Sequence, residues 1–164
     1  MLLGGWSVVD LPEIQAVGEQ VIPEMVRTFA PDANVYPEIP HISFDDAMLK
    51  YGSDKPDMRN PILISDVTEI FRGSDFGIFA NAIENGAVVR AIPAPNSAEK
   101  PRSWFDKLGE YAVKELRLGG LGYIVFAEEA KGPVAKKLDA ERIKKLHEIA
   151  GDKSSLFFIC DNVD

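Results

Sequence analysis

The sequence predicts an α+β fold, in which a helical N-terminal region precedes a two-layer sandwich with helices on one face of a mainly antiparallel sheet. Two observations support this. Residues 76–160 alternate apolar runs with amphipathic stretches in the order ββαβαβ, which suits four strands and two helices. Residues 1–59 show mostly helical spacing of their apolar side chains and little strand pattern. We therefore expect one region at residues 1–59 and a second at residues 60–164.

The first predicted helix begins after Asp10, which suits an N-cap with Glu13 as its capping-box partner. Pro23 is expected to interrupt or kink this helix, and Pro31 lies beyond its expected end near Phe29. Residues 5–9 could form a short strand before it. The apolar face of the helix is formed by side chains spaced three or four residues apart: Leu11, Ile14, Val17, Val21, Met25 and Phe29.

A second, shorter helix is predicted from Ser43, a good N-cap, to Gly52, which can take a positive φ and end it. The polar connector that follows has the sequence Tyr51-Gly52-Ser53-Asp54-Lys55-Pro56-Asp57-Met58-Arg59. Its alternating acids and bases can pair with one another or with a neighbouring domain. The candidate interface or RNA-contact residues of the connector are Ser53, Asp54, Lys55, Asp57 and Arg59.

The second region is predicted to contain four strands, at residues 76–80, 87–92, 121–126 and 155–160. Asn85-Gly86 is a strong hairpin signal between the first two strands. Ser103 is the predicted N-cap of a helix that Gly119-Gly120 closes, and Asp139 caps a last helix that ends at Gly151. Asp66 could cap a turn of helix before the first strand. These elements give the ββαβαβ order.

Composition favours a globular protein in a reducing compartment. The chain has 164 residues, of which 46% are hydrophobic, so it can bury a sizeable core. No apolar run is long enough to cross a bilayer, so we expect no membrane partner. The single cysteine, Cys160, cannot form an internal disulfide, and a cytoplasmic location is expected.

The net charge of −8 argues against a nonspecific nucleic-acid binder, because such proteins are usually basic. The charge is uneven, however. Residues 1–95 carry 6 basic and 14 acidic side chains, whereas residues 96–153 carry 12 basic and 10 acidic. Contact with a polyanion is therefore expected in the C-terminal half. Arg90, Lys100 and Arg102, with Lys107 nearby, could form a basic patch or an ordinary solvated surface.

The sequence offers little for catalysis. His41 and His147 have no cysteine or second histidine at metal-ligand spacing, so both are interpreted as structural. The adjacent acids Asp45-Asp46 and Glu128-Glu129 point apart on a helix or strand and do not make an acid–base pair. We therefore predict no catalytic, cofactor-binding or metal-binding residue.

The connector resembles the string YGSDKPDLR of bacterial-type aspartyl-tRNA synthetases, with Met58 in place of leucine. In that family the string leads from the catalytic domain into an inserted module, the GAD domain. The similarity covers about residues 10–162. Weaker matches follow in the family's order, at residues 44–48, 59–61, 76–80, 119–124, 131–137 and 157–158.

The resemblance implies that residues 60–164 form a GAD-like domain and that residues 1–59 correspond to part of a class II catalytic domain plus the connector. It also implies a homodimeric parent enzyme that uses ATP and magnesium to activate aspartate and charge its tRNA. The chain would be an accessory domain near the acceptor arm, with aspartate tRNA and the rest of the synthetase as partners.

Several features of that family are absent. The class II signatures that hold ATP, the aspartate-recognition loop and the anticodon-binding barrel have no counterparts in this sequence. The parent's catalytic residues therefore cannot be assigned here. We expect a fragment or a truncated paralogue that is inactive alone and needs no cofactor. Two alternatives remain: a free-standing module that binds a protein or itself, and a small enzyme or ligand-binding domain.

Overall fold

The computed structural model describes residues 10–35 and 38–162. The chain divides into two compact units, residues 1–42 and residues 43–164. The possible strand at residues 5–9 lies outside the described residues. The predicted start of a GAD-like domain at residue 60 stays a prediction.

The first unit contains one long helix, α1 (Leu11–Phe29). The predicted capping box is present, and Glu13 Oε2 accepts a hydrogen bond of 3.3 Å from the backbone amide of Asp10. The predicted end at Phe29 is confirmed. The helix continues through Pro23, so an interruption there is wrong. A proline removes only one backbone donor, and the turns on either side retain theirs.

The second unit opens with α2 (Phe44–Tyr51), whose predicted caps are both confirmed. The hydroxyl of Ser43 accepts a hydrogen bond of 3.1 Å from the backbone amide of Asp46. Gly52 ends the helix in the left-handed region, with φ of 67°. The amide of Ile64 then donates to the carbonyl of Lys50 at 2.9 Å, which fixes the end of α2 against the segment that enters the sheet.

The centre of the second unit is an antiparallel sheet that has five strands within the described residues. Their order across the sheet is β1-β2-β5-β3-β4, so the last strand of the chain lies in the middle. The predicted α+β fold on an antiparallel sheet is confirmed, with one more strand than expected. The strands are β1 (Ser65–Asp66), β2 (Val88–Ala94), β3 (Gly122–Phe126), β4 (Ala130–Lys131) and β5 (Ser154–Asp161).

Helices pack on both faces of this sheet. Alternate residues of β5 show the two sides: Phe158 packs in a large core with α3, α4 and α6, whereas Phe157 packs in a smaller core with Phe105 of α5. The sequence had placed all helices on one face. The helices are α3 (Thr68–Phe71), α4 (Gly77–Glu84), α5 (Arg102–Lys114) and α6 (Ala140–Ala150), with a 3-10 turn at Ala135–Lys137.

The predicted strand at residues 76–80 is wrong, because this stretch opens α4. Phe79 and Ile83, four residues apart, are buried in the large core, while Ile78 is exposed. A short apolar run does not by itself distinguish a strand from a buried helix. Consequently, Asn85-Gly86 ends α4 and does not form the predicted hairpin turn; Gly86 has φ of 94°.

Two predicted helix starts have different outcomes. Asp139 caps α6 as expected, and its Oδ1 accepts a hydrogen bond of 2.9 Å from the backbone amide of Arg142. Ser103 is not the cap of α5. That helix begins one residue earlier, at Arg102, with Pro101 at the N-cap position. Proline has no backbone N–H group, and the N–H groups at the start of a helix have no partner within the helix. A proline at this position therefore loses no helical hydrogen bond.

Candidate functional site

The connector is a polar loop whose charged side chains pair with one another. The hydroxyl of Ser53 accepts a hydrogen bond of 3.1 Å from the amide of Lys55. The ammonium group of Lys55 lies 2.9 Å from a carboxylate oxygen of Asp54. Arg59 donates to both carboxylate oxygens of Asp57, at 2.8 and 2.7 Å. Of the two options that the sequence left open, the structure shows pairing within the connector.

The Asp57–Arg59 pair has an electrostatic consequence. Hydrogen bonds from the side chain and then the backbone amide of Arg59 lower the pKa of Asp57 from its ordinary value of 3.8 to about 2. Both side chains are well exposed to solvent. The pair therefore contributes little to global stability.

Replacing Arg59 with glutamine should raise the pKa of Asp57 from about 2 towards 3.8, because the carboxylate loses its charged donor. Since the folded-state pKa lies below the ordinary value, the pair's contribution is complete above pH 3.8 and is lost as the pH falls through about 2. Carbon-detected NMR titration of Asp57 measures this shift. A Lys55→Gln control should leave the Asp57 titration unchanged. A titration midpoint near 3.8 in the unmodified chain would contradict the pairing.

Arg90 lies on β2 and pairs with Asp66 on the edge strand β1. Burial alone would raise the pKa of Asp66, but hydrogen bonds from Thr68 and Arg90 outweigh it and hold the pKa below its ordinary value. This pair joins the two strands at their register position. The positive charge of Arg90 is therefore balanced by the carboxylate of Asp66 on the neighbouring strand.

A second group of basic residues lines a cleft of about 470 Å³ on the α5 side of the sheet. We call it the basic cleft. Lys100 lies just before α5 and Arg102 is the first residue of that helix, whereas Lys131 and Lys136 come from β4 and the 3-10 turn. Its one acidic lining residue is Asp106, whose carboxylate lies 3.7 Å from the guanidinium of Arg102.

Apolar side chains of the smaller core also line the basic cleft. Phe105 of α5 and Tyr123 of β3 stack with their ring centroids 4.7 Å apart, and Val125 lies beside them. Trp104 packs edge-to-face on Phe105, and Phe105 is buried, so both rings belong to the smaller core. The four basic side chains therefore line the cleft together with packed apolar side chains of the smaller core.

The structure separates the predicted site residues into three places. The five connector candidates, Ser53, Asp54, Lys55, Asp57 and Arg59, lie together on one loop. Lys100 and Arg102 lie in the basic cleft, whereas Arg90 and Lys107 do not line it. Sequence reasoning missed Lys131 and Lys136 as members of this group. The run at residues 131–137 had drawn attention only through its family resemblance.

The two histidines make local contacts. His41 pairs with Glu19 in the first unit. His147 lies 3.0 Å from Asp152 and stacks on Phe126 at a centroid distance of 5.0 Å. In the described ranges, no group of three or more His, Cys, Asp or Glu side chains could hold a metal ion. None of the helices in the described part of the chain is long and apolar enough to cross a membrane.

Comparison with known proteins gives consistent matches. The model of the GAD domain family matches residues 79–163. An aspartate–tRNA(Asp/Asn) ligase of Paramagnetospirillum magneticum is 50% identical over 159 residues, which covers 94% of this chain and 18% of the ligase. Ligases of the same name from Wolbachia pipientis subsp. Culex pipiens and Ehrlichia chaffeensis are 52% and 51% identical.

The matches to the Wolbachia and Ehrlichia ligases cover 94% and 96% of this chain, but only 26% and 27% of those ligases. The chain therefore spans about a quarter or less of the length of these relatives. The family match covers β2 to β5, including the basic cleft and most of α4. Because this match extends over more than half of its residues, the chain belongs to the GAD domain family.

Proposed function

We propose that this chain is an accessory domain of an aspartate–tRNA ligase and is not catalytic by itself. The observation that carries the proposal is similarity along nearly the whole chain, at about 50% identity, to ligases of which it spans only a small part. On this proposal, the rest of the ligase would act in the cytoplasm with ATP and magnesium to charge aspartate tRNA. This chain would lie near the acceptor arm of that tRNA.

The surface of α1 supports a place within a larger protein. Its apolar side chains are exposed along the whole helix; Phe29 at its end is 82% exposed and Leu11 at its start 67% exposed. Large exposed apolar patches mark surfaces that bind another protein surface. On the proposed function, the catalytic domain of the ligase covers this face.

The chain should replace its counterpart in a relative. A chimera of the Ehrlichia chaffeensis ligase that carries this chain in place of the aligned residues should aspartylate tRNA within about tenfold of the parent's kcat/KM, or about 1.4 kcal/mol in activation free energy. The reason is that about half of the aligned residues are identical, so the packing surfaces should be largely retained. Initial rates with labelled aspartate measure this.

The matched control deletes the same residues from the parent ligase and should lose activity or solubility. The isolated chain, assayed with aspartate, ATP and tRNA, should show no aspartylation. A folded chimera without activity, or an isolated chain with activity, would refute the accessory role. Circular dichroism and gel filtration establish that each protein is folded.

A free-standing self-interaction module is the second candidate, and the exposed face of α1 is the observation that favours it. Pairing through the sheet edges is less favourable, because the edge strands β1 and β4 have only two residues each. Light scattering over a range of concentrations separates the candidates. A stable dimer would support the self-interaction module, whereas a monomer would favour an inserted domain.

A further inference from the structure

The basic cleft concentrates positive charge on an acidic protein. Lys100, Arg102, Lys131 and Lys136 line it with only one carboxylate, Asp106, although the chain has 26 acidic and 18 basic residues. The cations come from two segments about thirty residues apart in the chain. Helical or strand periodicity therefore does not bring them together; the pairing of β4 with β3 beside α5 does.

These cations are poorly neutralised. Within residues 10–35 and 38–162, no carboxylate forms an ion pair with Lys100, Lys131 or Lys136. Some lysines of the unit, such as Lys145 and Lys114, pair with acids of their own helices, at 2.9 and 3.0 Å, whereas Lys137 and Lys144 form no ion pair within the described residues. Like charges that line one cleft repel one another, and an anion bound among them would relieve that repulsion.

The geometry favours phosphate over an isolated carboxylate. A volume of about 470 Å³ exceeds what one small anion fills and lies in the range of cavities that hold ligands of nucleotide size. Three flexible lysines act as point charges, and the guanidinium of Arg102 can grip two phosphate oxygens. All four basic residues are exposed, and the stacked rings of Phe105 and Tyr123 line the same cleft.

We infer that the basic cleft binds phosphate groups through Lys100, Arg102, Lys131 and Lys136. Two sources offer this chemistry, the backbone of a single-stranded RNA segment and a free polyphosphate. The RNA source rests on the proposed function as an accessory domain of a tRNA ligase. Phosphate binding itself rests only on the charges and shape of the cleft. No covalent step is involved.

Fluorescence anisotropy of the full chain with a labelled single-stranded RNA of about 12 nucleotides tests the inference. Between about 50 and 200 mM salt, four phosphate contacts predict a slope of log K against log salt near −3. The double variant Lys131→Ala, Lys136→Ala should weaken binding about tenfold or more at the lower salt and reduce the slope by about 1.4. Inorganic tripolyphosphate, added as a competitor and titrated directly by calorimetry, distinguishes the two sources.

The matched control is Lys137→Ala, Lys144→Ala, which removes the same charge from exposed lysines outside the cleft. It should retain at least half of the affinity. If only RNA binds, and the cleft variant weakens that binding, the ligand is the RNA backbone. If only tripolyphosphate binds, and the cleft variant weakens that binding, the ligand is a free polyphosphate. Equal losses in both double variants, or no binding of either probe, would overturn the inference.

The ligase chimera that carries the unmodified chain keeps this test separate from the proposed function. An active chimera with a cleft that binds neither probe rejects the phosphate site and leaves the accessory role intact. An inactive, folded chimera with a cleft that binds tripolyphosphate rejects the accessory role and retains the site. Circular dichroism of each variant confirms that Lys131→Ala, which changes an edge strand, does not unfold the sheet.

Discussion

Replacing Phe158 with alanine should lower the free energy of unfolding by about 3–5 kcal/mol, the range for removing a large aromatic ring from a packed core. Phe158 is fully buried on the central strand β5. Its ring meets that of Phe71 edge-to-face at a centroid distance of 5.2 Å. The cavity would lie between the sheet and α3, where neighbouring side chains have little freedom to fill it.

Urea denaturation followed by far-ultraviolet circular dichroism measures this loss. Phe44→Ala is the matched control in the same unit, because Phe44 is 67% exposed at the start of α2. It should change the free energy of unfolding by less than about 0.5 kcal/mol. Similar losses in the two variants would mean that Phe158 does not occupy the core described above.

Gly132→Ala should lower the free energy of unfolding by about 2–3 kcal/mol, because two costs act at one position. Gly132 has φ of 125°, a conformation that L residues rarely adopt. An added Cβ would also lie 2.7 Å from the carbonyl oxygen of Tyr123, a backbone atom that cannot easily move. Relief of this clash would displace the turn that carries Lys131, so the affinity of the basic cleft should fall as well.

Gly119→Ala provides the control for Gly132→Ala. Gly119 has no positive φ, and a Cβ there meets nothing within 4 Å. The control should leave stability unchanged or raise it slightly, because alanine reduces the freedom of the unfolded chain. Thermal unfolding of both variants gives the comparison. Equal melting temperatures for the two would show that the backbone at residue 132 relaxes freely.

Local signals in the sequence predicted local structure well. Ser43, Gly52 and Asp139 each act through hydrogen bonds or backbone conformations that involve only the next few residues, and each was placed correctly. The strand at residues 155–160 was also predicted correctly from its apolar run, and it lies within β5. Residues 76–80 failed because burial on a helix and burial in a strand produce the same short apolar run.

Long-range arrangement was less predictable. The sequence contains no signal that puts α5 on the opposite face from α6, since both helices have one apolar side. For the same reason Lys131 and Lys136 could not be joined to Lys100 and Arg102, because the contact depends on strand order. A charge count over the C-terminal half located the basic region only coarsely.

The central position of β5 also sets the order in which this unit can fold. Its partners β2 and β3 are synthesised well before it, and both must wait for residues 154–161 to leave the ribosome. Until then only the ribbons β1–β2 and β3–β4 can pair, and such two-stranded ribbons are marginally stable in water. We therefore expect the complete sheet to form only when β5 joins the two ribbons, because its pairings with β2 and β3 connect distant parts of the chain.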